Sequence, residues 1–296
     1  MGVGQSDLSF EATSRVATID GRTLHYNEAG EGPVVVALHG GGPGASGYDN
    51  YHLNLPTLTK HFRVLCVDLP GYGLSDAILD GNHYANSATA IIGLLDDLGI
   101  EKAHYLGNSM GGGVSLRTAL DFPDRVDRMV QIAPGGANVS LFSADPTEGA
   151  RIMRAFYDEP GPSREKMAAF LRVLIHDPTV VTDELIDARY EAAIKQGKQG
   201  AMNYAIGTVQ QRSTPKHEDP ARQLWKYLEQ IPHPTLLVWG RDDRITPVGA
   251  AFLPLKRLQN ASLHIFGGCG HSVQIDRVDD FNALVIEFFQ RKSVRA

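Results

Sequence analysis

The stretch 107–111 reads G-N-S-M-G and constrains the fold of this chain more than any other feature of the sequence. A short apolar run at 103–106 precedes it and predicts a buried strand, whereas residues 112–122 that follow predict a helix. A serine at such a strand-to-helix turn adopts a strained backbone conformation that exposes its hydroxyl group. Only glycine fits on either side, because a Cβ atom would clash in the tight turn. We therefore interpret Ser109 as a candidate nucleophile and expect the glycines at 111–113 to allow close packing of the helix beneath it.

Strand-like and helix-like runs alternate along most of the chain. The N-terminal part predicts a hairpin, because residues 15–19 and 23–27 flank the two-residue turn signal Asp20-Gly21. Further strands are predicted at 33–38, 63–67, 103–106, 128–133, 235–239 and 262–266, and helices at 85–98 and 278–290. Continuous apolar strands that alternate with helices predict an α/β fold with a mainly parallel, eight-stranded sheet that is covered by helices on both faces.

The alternation is interrupted between residues 138 and 218, where no strand-like run occurs. Ser163 and Thr182 stand there at positions typical of helix N-caps. The helices predicted in this stretch are 148–157, 164–175 and 183–194. We interpret the stretch as a helical cap that is inserted between two core strands. The predicted division of the chain is a first core part at 1–137, a cap at 138–218 and a second core part at 219–296.

Composition and charge exclude several classes of function. The 296 residues carry a formal net charge of −6 and no run of more than two basic residues, so nucleic-acid binding is not predicted. No apolar run is long enough to span a membrane, and the first ten residues lack the pattern of a secretory signal. The two cysteines, Cys66 and Cys269, do not form a disulfide framework, which favours a cytoplasmic protein. An anionic substrate would have to be held by local cations rather than by the overall charge.

A serine hydroxyl is a weak nucleophile that needs a general base, and the base needs an acid that orients it. In folds with this serine turn the chain order is serine, acid, histidine. Asp242 and Asp243 follow the strand predicted at 235–239, and His271 follows the next strand. Both loops should lie at the carboxyl ends of parallel strands, where the sites of open α/β sheets are found. We interpret His271 as the base, because Gly270 leaves its loop free to turn and present the ring, and the choice between the two aspartates stays open.

A glycine-rich loop, H-G-G-G-P-G at 39–44, follows the first of the predicted parallel strands. Glycines let a backbone approach a substrate closely and direct its N–H groups inward. The loop matches neither of the phosphate-binding motifs. Beside the serine turn it predicts one half of an oxyanion hole, and the N–H group of Met110 predicts the other half.

Four segments carry a resemblance to a known family. They are H-G-G-G-P-G-A at 39–45, G-N-S-M-G-G-G at 107–113, G-R-D-D-R at 240–244 and G-C-G-H at 268–271. Together they resemble the meta-cleavage product hydrolases of the α/β-hydrolase superfamily, and the resemblance covers nearly the whole chain. It implies an α/β-hydrolase fold with a helical cap. It also implies hydrolysis of a carbon–carbon bond in a 2-hydroxy-6-oxohexa-2,4-dienoate from aromatic or steroid degradation.

The resemblance implies a role for nine residues. Ser109 looks like the nucleophile, Asp243 like the acid and His271 like the base. Gly41 and Met110 would supply the oxyanion-hole amides. The residues that match the substrate-binding positions of the family are Gly42, Asn50, Asn108 and Arg189. The last of these, an arginine in the predicted cap, would form a fork-like contact with the substrate carboxylate.

One position departs from the family pattern. The family usually has tryptophan directly after the catalytic histidine, and here Ser272 stands in its place, which predicts a different or larger substrate. The segment 141–149 is most similar to the steroid-degrading branch. The apolar cap side chains expected beside the group beyond the scissile bond are Leu141, Phe142, Ile152, Met153, Phe156 and Leu174.

Cofactors and partners follow from the same reasoning. No histidine–carboxylate cluster has the spacing of metal ligands, and the acid–base chemistry needs no cofactor. The expected partner is a small-molecule dienoate, and the resemblance implies a homo-oligomer, with neither nucleic acid nor membrane as a partner.

Two other kinds of function stay open from the sequence. One is a carboxylesterase or a proline iminopeptidase-like serine hydrolase, which has a similar glycine–proline loop. Such a peptidase needs an acidic pocket for the substrate amine rather than the Arg189 cation. The other is a non-catalytic small-molecule receptor on the same fold, since fold alone does not fix function.

Overall fold

The computed structural model describes residues 7–78, 82–137, 146–197 and 220–291. Its strands are β1 Ser14–Ile19, β2 Arg22–Ala29, β3 Val34–Leu38, β4 Arg63–Val67, β5 Ala103–Asn108, β6 Val126–Ile132, β7 Thr235–Gly240 and β8 Ala261–Phe266. They form a single sheet in the order β1-β2-β4-β3-β5-β6-β7-β8. The β1–β2 hairpin and the β2–β4 pair are antiparallel, and the other neighbours are parallel. The predicted α/β fold with its mainly parallel, eight-stranded sheet is confirmed.

The sequence predicts some of the helices between the strands better than others. They are α1 Phe10–Thr13, α2 Gly47–Tyr51, α3 Leu55–Leu58, α4 His83–Asp97, α5 Met110–Asp121, α6 Glu148–Ala155, α7 Arg164–Leu174, α8 at 183–197, α9 Phe252–Arg257, α10 Val273–Asp276 and α11 Val278–Gln290. Long helices such as α4 and α11 match the prediction closely. Helix α4 begins two residues early because the Asn82 side chain caps it, accepting from the N–H groups of Tyr84 and Ala85. The short helices α2 and α3 carry too few turns to produce a helical pattern in the sequence.

The apolar strands are buried on both faces, as their continuous runs predict. In β3, Val35 and Ala37 belong to the apolar cluster on one face of the sheet, whereas Val36 and Leu38 belong to the cluster on the other. Successive side chains of a strand point to opposite faces, so a strand between two helical layers needs apolar residues at every position.

Close packing around the serine turn explains the glycines on both sides of Ser109. A Cβ atom on Gly107 would lie 2.6 Å from the carbonyl oxygen of Gly111. A Cβ atom on Gly111 would overlap the main chain of Leu38 in β3, and one on Gly113 would lie 2.8 Å from the carbonyl oxygen of Gly135. The expectation that these glycines let helix α5 lie directly against the sheet is confirmed.

Helices α6, α7 and α8 pack around an apolar cluster of their own. Its buried members are Phe156, Met167, Ala168, Phe170, Leu171, Val173, Ile186 and Ala193. Ser163 and Thr182 cap α7 and α8 as predicted, accepting the N–H groups of Lys166 and Leu185 at 3.2 Å each. The stretch 146–197 contains no strand. The predicted boundaries at 138 and 218 lie outside the described residues, so the division into core and cap stays a prediction.

Candidate active site

Ser109, Asp243 and His271 lie in three loops at one edge of the sheet. They follow β5, β7 and β8 respectively. Because β5 to β8 run parallel, the carboxyl ends of these strands meet at the same edge. Three segments that are distant in the sequence therefore converge.

Ser109 has a strained backbone conformation. Its φ is 51° and its ψ is −111°, which is a region that a non-glycine residue rarely adopts and that costs about 1–3 kcal/mol. Main-chain hydrogen bonds hold it there: Ser109 N–H donates to the carbonyl of Ile132 at 2.8 Å, and Gly135 N–H donates to the carbonyl of Ser109 at 2.7 Å. Met110 is the first residue of α5, so its N–H group is one of the free amides at the start of that helix.

His271 and Asp243 form a buried hydrogen-bonded pair. His271 Nδ1 lies 2.7 Å from Asp243 Oδ2, and the two side chains are 3% and 0% exposed. The other oxygen of Asp243 accepts the N–H groups of Ile245 and Thr246, each at 2.8 Å. The carboxylate is therefore fixed on both oxygens and holds the imidazole with Nε2 as the free nitrogen.

Asp242, the alternative acid, faces away from the histidine. Its carboxylate contacts the Arg241 guanidinium at 3.1 Å and accepts the N–H group of Gly268 at 3.0 Å. The hydrogen bond from Arg241 is the largest of the effects that lower the pKa of Asp242. The geometry thus separates two adjacent aspartates that the sequence pattern leaves equivalent.

The glycine loop after β3 is anchored by His39, which is fully buried. Its Nδ1 donates to the carbonyl of Gly40 at 2.8 Å, and its Nε2 accepts the N–H group of Leu69 at 3.0 Å. Burial lowers the pKa of His39, which keeps the ring neutral and matches this pair of hydrogen bonds. The carbonyl of His39 also accepts the N–H group of Gly111 at 3.0 Å, which joins the glycine loop to the serine turn.

Seven of the nine predicted site residues line one cavity. They are Gly41, Gly42, Asn50, Asn108, Ser109, Arg189 and His271. The other two lie next to it: Asp243 holds the His271 ring, and a Cβ atom on Gly41 would lie 3.0 Å from Met110 Sδ. The rest of the lining is Gly40, Met153, Phe170, Leu174, Ile245 and Ser272.

Two polar side chains in this cavity have hydrogen-bonding capacity to spare. Asn50 Nδ2 is buried and has no hydrogen-bond partner. Arg189 donates from Nε to the carbonyl of Pro43 at 2.9 Å, and none of the carboxylates in the described parts of the chain forms an ion pair with it. Burial lowers the pKa of Arg189. A buried donor and a desolvated cation favour an anionic, hydrogen-bonding ligand.

The apolar part of the cavity was predicted only in part. All four described members of the predicted set pack in the apolar cluster of α6, α7 and α8, but Met153 and Leu174 also line the cavity, whereas Ile152 and Phe156 do not. The predictions for Leu141 and Phe142 lie outside the described residues. Sequence reasoning missed Phe170 and Ile245, which also line the cavity. Phe170 carries no separate signal, because it belongs to the cap cluster as well and its helical spacing is that of a packing residue.

Gly270 is needed for a reason other than the predicted one. The glycine with a positive φ in this loop is Gly268, at 60°, and not Gly270. A Cβ atom on Gly270 would lie 2.9 Å from the carbonyl oxygen of Leu174 and 3.1 Å from the N–H nitrogen of His176. The residue before His271 is therefore glycine because the end of α7 packs directly against it.

Metal-binding, thiol and membrane-spanning features are the other kinds of site that a chain of this size can carry. Within 7–78, 82–137, 146–197 and 220–291, no cluster of His, Cys, Asp or Glu side chains has a metal-binding arrangement. Cys66 and Cys269 are free and buried, and burial raises the pKa of both thiols. Among these same residues no helix combines the length and the apolar character that a membrane crossing requires.

Comparison with known proteins places the chain among characterised hydrolases. The alpha/beta hydrolase fold family matches residues 33–278. A 2-hydroxy-6-oxo-6-phenylhexa-2,4-dienoate hydrolase of Comamonas testosteroni is 37% identical over 294 residues, which is 97% of this chain and 100% of the relative. A 2-hydroxy-6-oxononadienedioate/2-hydroxy-6-oxononatrienedioate hydrolase of the same organism is 36% identical and covers 96% of this chain and 98% of its own length.

Solved structures agree with these relatives. A variant of the meta-cleavage product hydrolase CumD from Pseudomonas fluorescens superposes with a TM-score of 0.78 at 36% identity, covering 93% of this chain and 97% of that chain. The 2-hydroxy-6-oxo-6-phenylhexa-2,4-dienoate hydrolase of a Rhodococcus strain superposes with a TM-score of 0.80 at 26% identity, over 94% and 100% of the two chains. The chain is thus an enzyme of the alpha/beta hydrolase fold and belongs to the meta-cleavage product hydrolases.

Proposed function

We propose that this enzyme hydrolyses the C5–C6 bond of a 2-hydroxy-6-oxohexa-2,4-dienoate that carries an apolar group on C6, with Ser109, His271 and Asp243 as the catalytic triad. The observation that carries the proposal is the composition of one cavity. It combines Ser109 and His271 with the Arg189 cation, the free amide of Asn50 and an apolar lining. A dienoate has the matching groups: a carboxylate, a carbonyl carbon open to attack and an apolar substituent.

The proposed mechanism begins with a proton shift. The carboxylate and 2-hydroxyl of the substrate bind near Arg189, Asn50 and Asn108. His271 helps to move the hydroxyl proton to C5, so that the dienol becomes a C2 ketone that can accept electrons when the C5–C6 bond breaks. The Asp243 carboxylate keeps the imidazole in the tautomer that this transfer needs.

Ser109 then attacks the C6 carbonyl while its proton passes to His271. The N–H groups of Gly41 and Met110 stabilise the negative charge that develops on the oxygen bound to C6. Cleavage sends the bonding electrons to C5 and through the enone to the C2 oxygen, which takes the proton held by His271. This releases a 2-hydroxypenta-2,4-dienoate, leaves an acyl group on Ser109 and makes His271 a base again. Water activated by His271 releases this acyl group as a carboxylic acid.

The lining of the cavity supports an apolar group beyond the scissile bond. Met153, Phe170, Leu174 and Ile245 present hydrocarbon surface, and among the described lining residues Arg189 is the only lysine or arginine. The curated relatives act on two kinds of substrate, one with a phenyl group and one with a second carboxylate. A second carboxylate would need a second cation, so the phenyl kind fits better. The same described lining contains no Asp or Glu, which disfavours a peptidase that holds a substrate amine.

The proposed function is tested with three substrates: 2-hydroxy-6-oxo-6-phenylhexa-2,4-dienoate, its analogue with a second carboxylate, and a simple aryl ester. We expect the yellow phenyl dienoate to disappear with release of benzoate, faster than either alternative, and Ser109→Ala to lose steady turnover. Stopped-flow absorbance measures both. Faster cleavage of the ester would favour the carboxylesterase, and binding without turnover would favour the receptor.

The choice of acid is tested by two matched substitutions, Asp243→Asn and Asp242→Asn. We expect Asp243→Asn to lower kcat about 10³–10⁴-fold, because an amide in this position holds the wrong imidazole tautomer. Asp242→Asn makes the same change at the neighbouring residue, whose carboxylate faces Arg241, and should retain wild-type kcat. Equal losses in the two variants would contradict the assignment.

The carboxylate-binding role of Arg189 predicts a selective loss of affinity. Arg189→Gln should raise KM for the dienoate about 10- to 100-fold, since a hydrogen bond to a charged group contributes about 1.5–3 kcal/mol. Arg189→Lys keeps the charge but not the fork and should lie in between. Steady-state kinetics of both are compared with Arg172→Gln, an exposed arginine of α7. The role is refuted if the KM of Arg189→Gln equals that of this control.

The small side chain of Ser272 predicts that the enzyme accepts large groups on C6. The range runs from phenyl to the fused rings of steroid-derived dienoates. Its side chain lines the cavity where the family usually has tryptophan. Ser272→Trp should fill this space. Relative to the dienoate with a methyl substituent, the kcat/KM for the dienoate with a bicyclic substituent should fall by about 10- to 100-fold. The ratio of kcat/KM values for the two dienoates measures this, with Ser272→Ala as the control that keeps the space. An unchanged ratio in Ser272→Trp would show that the substituent lies elsewhere.

A further inference from the structure

The end of helix α7 is bonded directly to the loop that carries His271. The carbonyl oxygen of Leu174 accepts two N–H groups from this loop, that of His271 at 3.0 Å and that of Ser272 at 3.2 Å. We refer to residues 174–177 and 270–276 together as the cap–histidine junction. The two segments are about one hundred residues apart in the sequence, so the junction exists only in the folded chain.

One side chain, Asp276, binds main-chain groups on both sides of this junction. Its Oδ2 accepts the N–H group of Gly270 at 2.8 Å. Its Oδ1 accepts the N–H groups of His176 and Asp177, each at 3.0 Å, and Oδ2 also lies 3.1 Å from the His176 nitrogen. A carboxylate has enough lone pairs for all of these contacts, and hydrogen bonds to a charged acceptor are stronger than neutral ones.

Outside the junction, the carboxylate of Asp276 acts on the Cys269 thiol, whose pKa is raised by burial and by the nearby Asp276 charge. Asp276 is the last residue of α10, so it does not cap the start of its own helix. No described lysine or arginine pairs with it, and the neighbouring Arg277 pairs with Asp280 instead. Its hydrogen bonds to main-chain N–H groups hold the residue before His271 against the end of α7.

The position of His271 thus depends on two anchors. Asp243 fixes the ring at Nδ1, and the junction fixes the main chain on which the ring is carried. We propose that Asp276 is a positioning residue, whose carboxylate sets the catalytic histidine and the cap lining at Leu174 as one unit. This inference rests on the proposed function only in that His271 is taken as the base.

The test compares Asp276→Asn with Asp279→Asn, which removes the same charge from an exposed position of α11. The asparagine side chain keeps one acceptor oxygen and places an NH2 group opposite main-chain N–H donors, so one side of the junction is lost. We expect Asp276→Asn to lower kcat for the dienoate about 10- to 100-fold, because displacing a catalytic group by about 1 Å costs a factor of this order. KM should stay near the wild-type value, since the groups proposed to hold the carboxylate are untouched, and Asp279→Asn should match the wild type in both constants.

Two further measurements separate positioning from a general loss of structure. Hydrogen exchange should become faster at 270–272 and 176–177 and stay unchanged in the central strands. The rate at which a fluorophosphonate modifies Ser109 should fall in parallel with kcat, because this reaction also needs His271 but not the dienoate. A wild-type kcat together with a wild-type modification rate in Asp276→Asn overturns the proposal, as does faster hydrogen exchange throughout the sheet. If the wild-type enzyme reacts with the fluorophosphonate but leaves the dienoate intact, the proposed substrate fails, and the modification rates still decide the role of Asp276.

Discussion

Helix α5 begins directly after Ser109 and lies so close to strand β3 that any side chain at position 111 would overlap the main chain of Leu38. Ser109 stands next to this contact with a φ of 51°, a conformation that costs about 1–3 kcal/mol. Two main-chain hydrogen bonds of Ser109 offset this strain. Its N–H group donates to the carbonyl of Ile132 in β6, and its carbonyl accepts the N–H group of Gly135 in the loop after β6. The Ser109 hydroxyl is thereby fixed at the end of β5. The glycine loop, Asp243 and His271 have to be positioned relative to it.

The helices between β6 and β7 help to position the loops around Ser109. Each of the other three loops has a hydrogen bond to one of them. Arg189 in α8 donates to the carbonyl of Pro43 in the glycine loop at 2.9 Å. Thr147, at the start of α6, donates to the carbonyl of Ile245 in the acid loop at 2.8 Å. The carbonyl of Leu174 at the end of α7 accepts from the histidine loop at 3.0 Å. The inserted helices therefore do more than cover the cavity, because the geometry of the loops beneath depends on where these helices lie.

The sequence predicts those features that local chemistry decides. The strand, turn and helix around Ser109 could be read from apolar runs and glycines, and the order of the three loops followed from the order of the strands. Asp242 and Asp243 could not be told apart from the residues alone, because the difference between them is which way a side chain turns at the end of β7. The sequence predicts the wrong reason for Gly270, since the carbonyl of Leu174 that excludes a side chain there comes from a distant segment. Phe170 packs among α6, α7 and α8 and also lines the cavity. Its helical spacing in the sequence indicates only the packing role.

The electrostatics of the cavity explain how an acidic protein can select an anion. With a net charge of −6, the overall field repels a carboxylate, so the selection has to be local. Burial that lowers the pKa of Arg189 also removes the water that would screen its charge, which strengthens its attraction for an anion. A partly buried guanidinium that pairs with none of the described carboxylates is unfavourable, and a substrate that brings a carboxylate would relieve this cost. Because Arg189 also binds the glycine loop through Pro43, the group proposed to recognise the acid end of the substrate is bonded directly to the loop proposed to stabilise the oxyanion. A neutral ester in the same cavity would bring no carboxylate to that cation. For this reason we expect recognition of the carboxylate to separate this enzyme from esterases of the same fold.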